Sequence, residues 1–305
     1  MEQELRKEIP RVLIVAPTSD RHSHLIDEWI NHLDNLTYPN FDVCLVDNTL
    51  KNDKYFKKLS KLKVKGRKVI TWRHEWSTKE TNHLQMLAHV REEQREYFIK
   101  NDYTHMLVLD DDIFIPKNGI QKLLYYNKDH VGFYVHVFYK PNRRPCILKS
   151  GEIHLGKGLE YFSFAEIDAY KRFAKKFKNN NLSKEEKLLI PHIIKDQKNP
   201  NLFKTYGVGL GCLMIKREVL EKCAFRTHPT FIWGEDLWYF AEANAKHYEF
   251  WVDTDVRAIH KNTDWEIINQ SQKQLGFIVM SGPVDSNNFE LVNRRKNGNR
   301  LRKKK

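Results

Sequence analysis

The chain has 305 residues, a net charge of +13, and 41% hydrophobic and 12% aromatic residues. That length and ordinary composition suit a globular protein able to bury one large α/β core or two smaller ones. No stretch approaches the roughly 20 apolar residues a membrane-spanning helix needs, and the polar start Met1 to Glu8 runs straight into Val12-Leu13-Ile14-Val15, so neither a transmembrane segment nor a signal peptide is expected.

In chain order, Arg11 to Ala16 reads as a strand and Ser23 to Leu36 as a helix with Leu25, Ile26, Trp29, Ile30 and Leu33 on one face. Phe41 to Val46 is a second strand, Lys51 to Leu62 a short basic helix and Lys68 to Trp72 a third strand. A long helix from about Thr78 to Lys100 follows, then a strand from Thr104 to Leu109. This alternation predicts right-handed crossovers and a parallel sheet covered by helices on both faces. Val131 to Tyr139 is a further strand. From about Lys149 to Asn201 the apolar periodicity turns helical and the charge density rises, which predicts a helical insertion whose Tyr161, Phe162 and Tyr170 are exposed and shape an acceptor site. The sheet pattern resumes at Tyr206, continues through Leu210 to Ile215 and ends with Glu249 to Ile259. Cys44, Cys146, Cys212 and Cys223 are far apart with no metal-type pairing, so buried free thiols in a reducing, cytoplasmic setting are expected.

The chemistry concentrates at strand ends. The apolar run Met106-Leu107-Val108-Leu109 stops in Asp110-Asp111-Asp112, and ligands of open α/β sheets bind at the carboxyl ends of strands. Adjacent carboxylates repel unless a cation lies among them, so a divalent metal carrying a diphosphate is the first reading; a solvated turn, or acids at a helix N-terminus, is the plainer one. The first strand ends in Ala16-Pro17-Thr18-Ser19-Asp20 and the second in Val46-Asp47-Asn48-Thr49, facing the same edge. Pro17 fixes φ, while Thr18, Asp47 and Asn48 offer the directional hydrogen bonds a base and ribose require, although capping demands the same residue types. Farther on, aromatics flank Gly234-Glu235-Asp236, and a carboxylate in a partly dry site can be raised far enough to act as a general base. The same two acids could simply open a helix from Asp236 to Ala245. His260, closing the last strand, is either a metal ligand or structural.

In order, Val-Leu-Ile-Val-Ala-Pro-Thr (Val12 to Thr18), Val-Asp-Asn (Val46 to Asn48), Leu-Asp-Asp-Asp (Leu109 to Asp112), Gly-Val-Gly-Leu-Gly-Cys-Leu-Met-Ile-Lys-Arg (Gly207 to Arg217), Trp-Gly-Glu-Asp (Trp233 to Asp236) and the late His260 resemble the GT-A fold glycosyltransferases, close to family 2. The resemblance covers roughly residues 11 to 262. It implies a GT-A (Rossmann-like) mixed, mainly parallel sheet flanked by helices, and a hexosyltransferase that moves a sugar from a nucleoside diphosphate donor, UDP-linked, to an acceptor hydroxyl with inversion. Under it Pro17, Thr18, Asp47 and Asn48 hold the nucleoside, and Asp110 is the ribose-side member of a DXD motif. Asp112 and His260 hold Mn²⁺ or Mg²⁺, with Asp111 either among the nucleotide contacts or taking the place of Asp112 on the metal. Gly209 and Gly211 line the sugar pocket, Asp236 is the base, and Glu235 is a hydrogen-bonding partner of acceptor or donor. The family often has an Ala-Arg-Asn step before the acidic strand; Glu80-Thr81-Asn82-His83 to Arg91 has no clean equivalent, which leaves the donor open.

The expected organisation is a glycosyltransferase domain over 1–262, an extension over 263–293 and a basic tail over 294–305. The tail holds eight positive charges and no acid, more than half of the net charge. Such a run is merely solvated or attracts nucleic acid or anionic lipid, so the acceptor could be a glycan or a polyanion, modified DNA bases included, and the tail could touch an anionic membrane peripherally. A nucleotidyltransferase is the alternative enzyme, but it should open with a glycine-rich phosphate loop, and Ala16 to Arg21 contains no glycine. A non-catalytic nucleotide-sugar-binding protein would be favoured by loss of the acids, all of which are present. A nucleic-acid-binding protein lacks an accompanying zinc or helix-turn-helix pattern.

Overall fold

The computed structural model describes residues 9–50, 52–75, 83–139, 142–152, 157–227 and 234–261. The first strand, β1 (Val12–Thr18), is buried along its whole length. Its residues divide between two cores, with Val12, Ile14 and Ala16 in one and Leu13 and Val15 in the other. A continuous apolar run must do this in a strand, because side chains alternate and both faces then need cover. Helix α1 (Ile26–Asp34) covers the first face with Ile26, Trp29, Ile30 and Leu33, at helical spacing. β2 (Phe41–Asp47) pairs parallel with β1. After α2 (Asp53–Leu59) come the short antiparallel pair β3 (Lys63–Val64) and β4 (Arg67–Lys68), then β5 (Ile70–Arg73), parallel to β2. Helix α3 (His83–Ile99) covers the second face and leads to β6 (His105–Leu109), parallel to β1. The two-residue β7 (Ile113–Phe114) follows the acids, then α4 (Gly119–Tyr126) and β8 (His130–Tyr139).

The stretch expected to be a helical insertion begins as strands. β9 (Asn142–Pro145) pairs with β8, and β10 (Ile147–Glu152) pairs antiparallel with β11 (Lys157–Tyr161). Gly151, Gly156 and Gly158 lie in this stretch, and three glycines within eight residues disfavour a helix. Helices start only at α5 (Phe164–Lys178), followed by α6 (Lys184–Leu188) and α7 (Ile190–Ile193). Ser163 with Glu166 and Ser183 with Glu186 form capping boxes that set the starts of α5 and α6. The aromatics expected at this surface turn inward. Tyr170 is buried with its hydroxyl 2.7 Å from the Leu202 carbonyl, because Ile167, Tyr170 and Ala174 form the inner stripe of α5; Tyr161 and Phe162 are half-buried.

The chain then re-enters the sheet through β12 (Leu202–Thr205), β13 (Gly207–Val208), β14 (Cys212–Lys216), α8 (Arg217–Leu220), α9 (Glu235–Ala245) and β15 (Phe250–His260). The main sheet has the order β12-β15-β8-β14-β6-β1-β2-β5, mixed and mainly parallel, with β7 added to β15 and β9 to β8. β14 is antiparallel to both neighbours, and β13 completes a small sheet with β10 and β11. Among the described residues no helix is long and apolar enough to cross a membrane. All four cysteines are free; three are buried and Cys146 is half-buried. Residues 76–82, 228–233 and 262–305, which include Thr81-Asn82, Trp233, the C-terminal extension and the basic tail, lie outside the described residues.

Candidate active site

Three parallel strands deliver their carboxyl ends to one edge. Thr18 of β1 stands in register with Asp47 of β2, and β6, paired on the other side of β1, ends one residue before Asp110. The antiparallel β14 starts at the same edge, since Cys212 pairs with Leu109. The loop before it is therefore beside the acids: the Asp110 N–H donates to the Gly211 carbonyl at 3.1 Å. A Cβ at Gly211 would stand 2.5 Å from Ile113 Cδ1 and 3.0 Å from Asp110 Oδ2, so a side chain here would force Ile113 to shift beside the acids. Gly209 lies two residues back, its N–H donating to the Cys146 carbonyl at 2.9 Å.

Each of the three consecutive acids has a cationic or ionisable partner of its own. Asp110 Oδ1 accepts from Arg91 Nη2 at 3.0 Å. Asp111, 1% exposed, accepts from Thr18 Oγ1 at 2.5 Å and from His22 Nδ1 at 2.5 Å. Since Thr18 has a single hydroxyl proton, the Tyr55 hydroxyl 2.6 Å away donates to it, tying α2 to the same cluster. Burial disfavours a charged His22, yet the charge and hydrogen bond of Asp111 outweigh it and lift its pKa to about 9. Asp112 Oδ2 lies 3.0 Å from His260 Nε2. That contact follows from topology: β15 loses its register with β8 between Asp253 and Arg257, and its last residues pair instead with β7, so His260 faces Ile113 and the Lys261 N–H donates to the Asp112 carbonyl at 2.9 Å.

On the nucleoside side of the reading, Pro17 and Thr18 are buried, and the Thr18 carbonyl accepts from the Asn48 N–H at 2.9 Å. Asp47 is fully buried; its Oδ1 accepts from the Thr49 N–H at 2.9 Å. Its Oδ2, also buried, faces the Arg73 guanidinium, with Nε at 3.5 Å. Burial raises the Asp47 pKa, with Thr49 and Arg73 pulling it back.

Glu235 and Asp236 open α9, with Gly234 at its N-cap. A Cβ on Gly234 would stand 2.5 Å from Asp236 Oδ1, the oxygen that accepts from the Leu237 N–H at 2.8 Å. Burial, and then the adjacent Glu235 charge, push the Asp236 pKa up to about 7. Arg91 joins this acid pair to the strand-end acids: its Nε donates to Glu235 Oε1 at 3.0 Å, while its buried Nη1 has no hydrogen-bond partner. Sequence reasoning passed over Arg91, His22 and Tyr55. For Arg91 a signal existed, because it falls on the stripe Leu84, Leu87, Gln94 and Phe98 of α3, where a charge is out of place unless it has buried partners. His22 and Tyr55 carry no such mark.

Asp112 and His260 are the two donors that a divalent cation would find together. The His260 Nδ1–H donates to the His136 carbonyl at 3.2 Å, which orients the ring with Nε2 toward Asp112. Among the described residues no group of three or more His, Cys, Asp or Glu side chains is arranged to hold a metal. Two protein donors do not make a closed structural site, but they fit a hard cation that keeps waters and takes oxygens from a phosphate substrate. The fold and this edge define a mixed α/β protein, its mainly parallel sheet bearing an acid-rich strand-end site. No family model matches the chain, and no curated protein matches it. The crystal structure of A197 from STIV is similar over 82% of this chain and 85% of its own, at 18% identity and a TM-score of 0.42, a likeness that assigns no function.

Proposed function

We propose that the chain is a glycosyltransferase that moves a sugar from a nucleoside diphosphate sugar, UDP-linked, to an acceptor hydroxyl, with inversion and with Asp236 as the general base. The observation that carries this reading is the Asp236 carboxyl group, raised to about 7 at the start of α9 beside Glu235, the residue that Arg91 ties to Asp110 at the strand ends. A carboxylate with a pKa near neutrality is largely unprotonated above that pH and basic enough to accept the hydroxyl proton as the oxygen attacks. In this reading Thr18, Asp47 and Asn48 hold the nucleoside, and the Leu237 N–H orients Asp236 through Oδ1, leaving Oδ2 to receive the proton. Glu235, fixed by Arg91, positions the acceptor. Asp112 and His260 would hold Mn²⁺ or Mg²⁺, which when bound supplies charge neutralisation for the departing diphosphate. Asp111 is not assigned to the metal, because Thr18 and His22 engage both its oxygens.

Calorimetry with UDP in Mn²⁺ and in chelator tests the donor half of the proposal. The wild-type chain should bind UDP more tightly with the metal, and Asp112→Ala should erase that difference while leaving the metal-free affinity in place. Equal metal enhancement in Asp112→Ala and His260→Ala would remove both residues from the metal.

A further inference from the structure

His260 and Asp112 reach each other only because β15 changes register. β15 runs parallel to β8, with Phe250 opposite His130 and Asp253 opposite Phe133; the next pair is Arg257 with Tyr134, four steps along β15 against one along β8. Three residues are thereby spare. Uninterrupted pairing would carry Arg257, not His260, to the level where His260 now meets the His136 carbonyl. The ladder on the other side of β15 stops at the same residue, since Leu202 of β12 pairs with Asp253. Beyond the break β7 takes up the end of β15, Phe114 pairing with Ile259 and Ile113 with His260.

Asp253, where both ladders end, is fully buried. Its Oδ1 accepts from the Asp255 N–H at 2.8 Å, a side-chain turn of the kind by which an aspartate leaves a strand. Its Oδ2 accepts from the Tyr126 hydroxyl at 2.7 Å and lies 2.6 Å from Lys122 Nζ, both on α4. The buried Thr254 follows, its N–H and Oγ1 donating to the Asn201 carbonyl at 3.1 and 3.0 Å. Because α4 follows β7 in the chain, one segment grips β15 on both sides of the break, through α4 at Asp253 and through β7 at Ile259 and His260. Phe250, Trp251 and Val252 are buried and already anchor the start of the strand, so the costly burial of a carboxylate serves the break rather than the ladder.

We propose that Asp253, tethered by Lys122 and Tyr126, is a positioning residue that holds the three-residue break in β15 and thereby sets His260 against Asp112. Its meaning for catalysis rests on the metal reading given above; the placement itself does not.

NMR of the full chain with ring-labelled histidine, at one fixed pH and with neither nucleotide nor metal, tests the placement, so its failure is distinct from a failure of the sugar-transfer reading. The His260 signal, assigned by its absence in His260→Gln, should move on Asp112→Asn. Asp253→Val combined with Lys122→Met and Tyr126→Phe replaces the buried network by apolar groups, an exchange that is often neutral for stability. In that background the response of His260 to Asp112→Asn should be lost. Asp253→Asn, which removes the charge alone, should diminish the response, and Lys122→Arg, which keeps the ion pair, should retain it. His130 stacks on Phe250 at 3.9 Å, before the break, and its signal should stay in place throughout. The proposal is overturned if His260 does not respond to Asp112→Asn in the wild-type chain, or if the response survives in the triple variant or, should that chain not fold, in full in Asp253→Asn. It is equally overturned if His130 moves along with His260, which would make Asp253 a general support of the strand.

Discussion

Replacing Arg91 by methionine should cost about 3 kcal/mol of folding stability, read from urea unfolding followed by circular dichroism. Arg91 is buried on α3 and bridges two elements that the chain brings together only on folding, β6 through Asp110 and α9 through Glu235. Removing it leaves the Glu235 carboxylate inside the protein without its cation, and an unpaired buried charge is what makes such losses large. Asp110 contributes less, because its side chain is 31% exposed and water screens it. The cause can be separated from lost packing: adding Glu235→Gln to the Arg91→Met chain should recover a substantial part of the stability. A loss below about 1 kcal/mol, or no recovery in the double variant, would show that Glu235 does not depend on Arg91.

Asp236→Asn should lower turnover by roughly 10² to 10⁴ while leaving UDP affinity and the unfolding midpoint close to wild type. The amide keeps the size of the carboxylate and can still accept from the Leu237 N–H, but it cannot take a proton. The pH profile carries the same assignment. A base whose pKa is about 7 is protonated and inactive below that pH, so kcat/KM should rise as the pH passes upward through 7. In Asp236→Asn that rise should vanish from the residual activity. Near-normal turnover in the variant would remove Asp236 from the chemistry, and a product retaining the donor's anomeric configuration would contradict a single displacement.

The strands of the first half were legible because they had no alternative. Val12 to Ala16 and Met106 to Leu109 are continuous apolar runs too short for helices and bounded by polar breaks, and they are β1 and β6 in the structure. The α1 stripe was equally plain, its apolar residues falling at helical spacing. Residues 149–152 and 157–161 were misread because local charge and periodicity said helix while the glycines, and the pairing of β10 with β11 and the distant β13, decided for strand. Tyr170 was expected at the surface because its neighbours are charged; which face of α5 turns inward depends on β12 and α7, about 20 to 30 residues away in sequence. The strand-end location of the acids was readable, but their partners were not. His22 reaches Asp111 across 89 residues and Arg91 reaches Glu235 across 144, contacts that only the strand order creates. The closeness of His260 to Asp112 likewise depends on the register break in β15, which no local pattern announces.

The measurement that bears most directly on sugar transfer is a panel of nucleotide sugars incubated with the full chain and scored for release of nucleoside diphosphate, with Asp236→Asn run in parallel. At least one donor should be turned over by the wild-type chain, faster with Mn²⁺ or Mg²⁺ than with chelator, and that release should fall with Asp236→Asn. If no donor yields nucleoside diphosphate while UDP still binds, the site is a nucleotide-binding site without transferase chemistry, and release that Asp236→Asn leaves unchanged would contradict the role given to the start of α9.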